Sequence, residues 1–135
     1  MPTPEVMRSG ILRYLQLVQE NDVEGVLDLF ADSVSVEDPV GGPPGTHVVG
    51  IEEVSSFFRK GFARSHPCPT RTGPVVTTGG NEAAVPFTLR LEISDRTQEL
   101  DVVDVMQFDE EGRITSLRAF WNFAERRKAQ ASESE

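Results

Sequence analysis

The stretch Ala83-Ala84-Val85-Pro86-Phe87-Thr88-Leu89-Arg90-Leu91-Glu92-Ile93 alternates almost without a break. Ala83, Val85, Phe87, Leu89, Leu91 and Ile93 face one way, and Thr88, Arg90 and Glu92 face the other. That is the pattern of a strand with one side turned to a core and one to water. Three further strand-like stretches lie around it, at about 69–78, 98–108 and 113–123. The separators are Gly79-Gly80-Asn81, Ser94-Asp95-Arg96-Thr97 and Asp109-Glu110-Glu111-Gly112. Strands joined by such short turns predict an antiparallel sheet.

Upstream the period changes. Met7, Ile11, Tyr14 and Val18 recur at spacings of four, three and four between Pro4 and Asn21, one stripe of an amphipathic helix. A shorter helix is predicted after Asp22 as N-cap, through Val23, Val26, Leu27 and Phe30. Ser33 to Asp38 alternates as a short strand that Pro39 stops, and Gly41-Gly42-Pro43-Pro44-Gly45 reads as a loop. A third helix is expected from Ile51 to about Ala63, with Val54, Phe57 and Phe58 inward. Helices first and a strand meander afterwards predict an α+β fold, a mostly antiparallel sheet packed against three N-terminal helices. The expected organisation is one domain over 1–124 and a polar, disordered tail over 125–135.

With 135 residues and no internal repeat, one domain accounts for the chain, large enough for a core with a pocket inside it. The formal net charge is −9, so anionic partners such as nucleic acid and membrane surfaces are disfavoured. The apolar runs are too short to span a bilayer, which takes about 20 residues. The N-terminus lacks the basic and apolar regions of a secretory signal. A single cysteine, Cys68, rules out an internal disulfide framework and fits a cytoplasmic protein.

Side-chain parity exposes an anomaly. In 98–108 the apolar row is Leu100, Val102, Asp104, Met106 and Phe108, with one acid in it, whereas Asp101 lies in the polar row. In the short strand Val34, Val36 and Asp38 share a face, and Glu37 takes the other. Asp38 and Asp104 are therefore expected to point inward, where burial raises a carboxyl pKa unless cations or donors compensate. A neutral acid donates a hydrogen bond, and an ionised one accepts a proton. Each acid alone is open to a structural reading, Asp104 satisfied by backbone donors, and Asp38 more readily still, because acids before proline commonly serve turns. Tyr14, the only tyrosine, lies in the first helix's inward stripe; beside a protonated Asp104 it would complete a pair of O–H donors suited to an oxyanion.

At these residues the sequence resembles the bacterial ketosteroid isomerases, within the nuclear transport factor 2-like superfamily. The resemblance runs through Arg13-Tyr14, Phe30-Ala31-Asp32, Val36-Glu37-Asp38-Pro39-Val40-Gly41, Pro86-Phe87, Asp101-Val102-Val103-Asp104-Val105-Met106, Phe108-Asp109, Gly112-Arg113-Ile114 and Ala119-Phe120-Trp121. It covers about residues 4–124. It implies a curved, cone-like sheet around a deep apolar pocket and a homodimer paired through that sheet. It also implies a Δ5-isomerase that converts 3-oxo-Δ5-steroids to 3-oxo-Δ4-steroids with no cofactor and no metal. Asp38 matches the general base; Tyr14 and Asp104 match the two donors to the 3-oxygen, an arrangement for which this family is the established example. The expected substrate-binding wall is Val85, Phe87, Leu100, Val102, Met106, Leu117, Ala119 and Trp121, all core-facing by parity. Family members often link the oxyanion tyrosine to further tyrosines; the matching positions here are Phe30 and Phe58, so that relay is absent.

Other enzymes of the same fold, such as polyketide cyclases, dehydratases and epoxide hydrolases, are the alternatives, as is a non-catalytic binding or dimerisation module. The inward faces lack the histidines of such dehydratases and the carboxylate–Arg–carboxylate group of such epoxide hydrolases. His66-Pro67-Cys68-Pro69 is a poor metal-ligand set. His47 reads as an exposed loop residue. Neither a Gly-x-Ser-x-Gly elbow nor a phosphate-binding Gly-Lys-Ser/Thr follows any glycine cluster.

Overall fold

A computed structural model describes residues 1–129. The first helix, α1 (Pro4–Gln19), starts where the side chain of Thr3 accepts a hydrogen bond from the Val6 amide and Pro4 supplies a preset φ. It buries Met7, Ile11, Tyr14, Leu15, Leu17 and Val18. Asp22 then caps α2 (Val23–Asp28) by accepting from the Gly25 amide. The next elements are β1 (Phe30–Glu37), β2 (His47–Val49) and α3 (Ile51–Ser65), which ends at His66 in the left-handed conformation. The rest is β3 (Cys68–Arg71), β4 (Val76–Thr77), β5 (Glu82–Ile93), β6 (Arg96–Phe108), β7 (Ile114–Phe120) and β8 (Arg127–Lys128). A short 3-10 turn at Phe123–Glu125 precedes β8.

These eight strands form one sheet in the order β2-β1-β7-β6-β5-β3, with β4 on β5 and β8 on β6. The β5–β6 hairpin turns on only Ser94 and Asp95, since Ile93 pairs with Arg96. The β6–β7 turn is held by Asp109 Oδ1, which accepts from the Glu111 and Arg113 amides. The chain has the nuclear transport factor 2-like α+β fold, a curved mixed sheet packed against helices.

Three boundaries differ from the sequence reading, and one parallel pairing joins the mostly antiparallel sheet. Phe30 opens β1 rather than closing α2. The 69–78 stretch is two strands, because Gly73-Pro74 interrupts it and Pro74 has no amide to give a ladder. The 113–123 strand stops at Phe120. The sheet is mixed, for β1 runs parallel to β7, a pairing between segments far apart in sequence that no turn signal announces. Of the tail expected over 125–135, residues 125–129 lie in place: Lys128 pairs with Gln98 and Arg127 with Glu99. The remainder of that tail lies outside the described residues.

Cross-strand register sorts the apolar face into rows. Ala83, Met106 and Leu117 form one, Val85, Asp104 and Ala119 the next, then Phe87 with Val102 and Leu89 with Leu100. Over the first row and beyond it, the N-terminal half of α1 fills the space: a Cβ at Gly10 would stand 3.1 Å from the Phe108 ring. Met7, Ile11, Phe108 and Ile114 are at most 1% exposed there. Past the Asp104 row the helices no longer fill the sheet's concavity. No helix among the described residues is long and apolar enough to cross a membrane.

Candidate active site

The unfilled concavity is a cavity of about 280 Å³, near the lower end of small-ligand sites, which run from roughly 300 Å³ upward. Tyr14 reaches it from α1, Asp104 from the middle of β6, and Asp38 from the residue after β1. Sequence parity separates these three from neighbours of the same chemistry. Glu37 turns outward and accepts from Arg118 Nε at 3.0 Å, and Asp101 turns outward to Arg127 at 3.0 Å. Asp104 is 3% exposed and Tyr14 7%.

Asp38 is half-buried, and its peptide bond to Pro39 is cis. The Asp38 amide donates to the Thr46 carbonyl and the Val40 amide to the Ala119 carbonyl, each at 2.8 Å, which fixes the loop against β7. Trp121, half-buried just past β7, donates its indole Nε1–H to Asp38 Oδ1 at 2.5 Å. Among the described residues the Tyr14 hydroxyl and the Asp104 carboxyl bond to no other protein group, and neither is a fully enclosed polar atom left without a partner. Both are therefore open to the cavity and available to whatever occupies it.

Their electrostatics follow from position. Burial, and then the charge of Asp38, push the Asp104 carboxyl well above the usual carboxylate range. Burial, then Asp104 and Asp38, push the Tyr14 phenol well above its ordinary value of 10.0. Asp38 is also raised by burial, and the Trp121 hydrogen bond offsets only part of that rise. The cavity thus holds a phenol, a carboxyl whose protonated form burial favours, and a second carboxyl group tethered by an indole. It is otherwise apolar apart from Ser65, and no Lys or Arg lines it.

Of the eight expected wall residues, Phe87, Leu100, Val102, Ala119 and Trp121 line the cavity. Val85, Met106 and Leu117 do not. They are at most 1% exposed and belong to the packed core, because parity fixes a residue's face and not its distance along the strand. Most of the remaining wall lies outside the expected set: Leu15 and Val18 on α1, Phe57, Phe58 and Phe62 on α3, Leu89, Leu91 and Ile93 on β5, and Phe123 beyond β7. For the β5 trio the signal was the same alternation that identified the strand. The Phe30 ring lies tilted against its neighbours, 6.4 Å from Tyr14 and 5.5 Å from Phe58 between ring centres, an aromatic row with no hydroxyl beyond Tyr14. Among the described residues no cluster of His, Cys, Asp and Glu could hold a metal.

Comparisons with known proteins place this geometry. Residues 11–117 match the SnoaL-like domain family. A steroid Δ-isomerase of Nocardioides simplex is 31% identical over 115 residues, covering 85% of this chain and 89% of that protein. Epoxide hydrolase LasB of Streptomyces lasalocidi is 28% identical over 126 residues, 90% of this chain but 43% of that protein. The crystal structure of RV0760c from Mycobacterium tuberculosis superposes with a TM-score of 0.84 at 26% identity, covering 96% of this chain and all of that one. The same protein in complex with estradiol-17β-hemisuccinate gives 0.80 at 27% identity, over 88% and 95% of the two chains.

Proposed function

Because the chain belongs to the SnoaL-like domain family, we propose that it is an enzyme acting on steroids, and specifically a steroid Δ5-isomerase. Asp38 takes a proton from C4 of a 3-oxo-Δ5-steroid, the electron pair moves through C3 onto the 3-oxygen, and a dienolate forms. Tyr14 and Asp104 each donate a hydrogen bond to that oxygen, where charge develops. Asp38 then returns the same proton at C6, giving the conjugated 3-oxo-Δ4 product with no net gain or loss of atoms. The apolar wall seats the ring system and keeps water from the dienolate. Sequence similarity to a steroid Δ-isomerase supports this reading. So does the steroid ester held by RV0760c. The observation that carries it is an unengaged phenol and a buried carboxyl group sharing one apolar cavity with an indole-tethered second carboxyl. The reading includes a homodimer that pairs through the outward sheet face, where Val103 and Phe120 are 40% and 41% exposed.

Adding a 3-oxo-Δ5-steroid and following the ultraviolet absorbance of the conjugated enone tests it. Wild type is expected to turn over, and Asp38→Asn to lose roughly 10²–10⁴-fold in rate while still binding a phenolic steroid. Equal, slow conversion by both proteins would overturn the assignment.

The similarity to an epoxide hydrolase favours a second reading. The same groups suit epoxide opening, with Asp38 deprotonating the attacking hydroxyl or water and Asp104 protonating the epoxide oxygen. Turnover of a steroid epoxide in the absence of enone formation would select it.

A further inference from the structure

Five of the chain's thirteen Lys and Arg residues sit together, although the net charge is −9. Arg90, Arg96, Arg126, Arg127 and Lys128 line an open groove between the end of the β5–β6 hairpin and the segment leading into β8, with Asp95 as its one acidic lining residue. Two of the five are neutralised at the flank: Arg90 pairs with Glu99, and Arg127 pairs with Glu99 and Asp101. Arg96, Arg126 and Lys128 have no carboxylate partner within 4.0 Å among the described residues. Against Asp95 alone they leave the groove cationic.

Two links connect residues that line the groove with residues that line the cavity. Leu91 and Ile93 line the cavity, and the hairpin turn that follows them leads straight into Arg96. On the opposite side Phe123 lines the cavity and is 44% exposed. Arg126 lies with its guanidinium carbon 4.1 Å from the centre of that ring and donates to the Phe123 carbonyl at 2.9 Å. One aromatic ring thus both lines the apolar cavity and carries a guanidinium against it. Tyr14 and Asp104 are nearly fully buried, so a ligand held by them at one end extends toward the exposed part of the wall, to which Ile93 and Phe123 belong.

We propose that this groove binds an anionic group carried at the far end of the substrate, so that the preferred substrates are steroids with an acidic substituent on the D ring. The inference rests on the steroid reading above and adds the substrate class. An acidic surface elsewhere would repel such a ligand, and the groove offers it a local cationic seat. The attraction is strongest at low salt, since the Debye length shrinks from about 10 Å at 0.1 M to about 3 Å at 1 M.

Trp121, the chain's single tryptophan, lines the cavity, so its fluorescence reports occupancy. The probes are two 3-oxo-Δ4-steroids that differ only at C17, one with a 17β-carboxylate and one with a 17β-hydroxyl. At low ionic strength the carboxylate is expected to bind about tenfold more tightly. In roughly 1 M salt, and in the double variant Arg96→Gln/Lys128→Gln, that advantage is expected to shrink below about twofold. The variant's affinity for the hydroxyl steroid stays as in wild type, which shows that it is folded. Equal affinities at low salt, or a preference that survives both removals of charge, would overturn the proposal. If both steroids bind with the expected preference but no neutral 3-oxo-Δ5-steroid is isomerised, the isomerase reading fails and this one stands. If neither binds, both fail.

Discussion

Asp38 and Asp104 are the same side chain in the same cavity, and depth of burial and one hydrogen bond make them different. The indole of Trp121 donates to Asp38 and offsets part of the cost of its charge, while no protein donor reaches Asp104. Which acids turn inward was legible from alternation alone, because Glu37 and Asp101 fall on the opposite parity and meet Arg118 and Arg127 outside. The indole bond was not legible, since nothing in the residue types pairs a tryptophan past β7 with an acid past β1. It has a measurable consequence. Trp121→Phe removes an interaction that favours the carboxylate, so the Asp38 pKa rises, and the acid limb of the kcat/KM profile for steroid isomerisation is expected to move to higher pH. An unmoved limb would show that the bond does not tune the base. The donors are the other residue-scale case. Tyr14→Phe and Asp104→Ala are each expected to lower kcat by roughly 10²–10³-fold, as for removal of an oxyanion donor. If they act on one oxygen, the double variant loses less than the product of the single losses, and kinetics on all four proteins measure the coupling.

Elements hold these residues where the chemistry needs them, and α1 does most of it by carrying Tyr14 on the same stripe as Met7 and Ile11. Its amphipathic period was readable because a helix repeats its own face every few residues. The parallel β1–β7 pairing that brings Asp38 beside Trp121 was not, because its partners are separated by most of the chain. The helix begins at a single side-chain cap from Thr3 to the Val6 amide. Thr3→Ala leaves that amide to water and is expected to cost about 1 kcal/mol, or roughly 3–6 °C in Tm for a domain of this size. Thermal unfolding followed by circular dichroism measures it. Since the cap lies eleven residues before Tyr14 (14 minus 3), kcat at 25 °C is expected to stay as in wild type.

The molecule as a whole is part filled core and part open cavity on one sheet face, and the division falls at the row of Val85, Asp104 and Ala119. Alternation could not place that division, because it depends on how far the sheet curves away from helices whose length is already spent on the core. A carboxyl buried at the boundary carries a thermodynamic cost with a definite sign. Asp104 keeps its proton in the folded protein at pH values where the unfolded chain, with a carboxyl pKa near 3.9, has released it. The native state then binds more protons than the unfolded state, so stability is full below the unfolded pKa and falls as pH rises toward the folded one. Asp38, also raised, adds to the same slope. Asp104→Asn has nearly the same shape and no proton to lose, so it removes the larger share of that dependence. Urea unfolding at pH 5.5 and pH 8 is expected to show the variant more stable, by more than about 1 kcal/mol at pH 8 and by less at pH 5.5. Parallel pH dependence in the two proteins would mean that Asp104 ionises in the folded state as readily as in the unfolded chain. A neutral donor at that position, and the oxyanion chemistry assigned to it, would then be lost together.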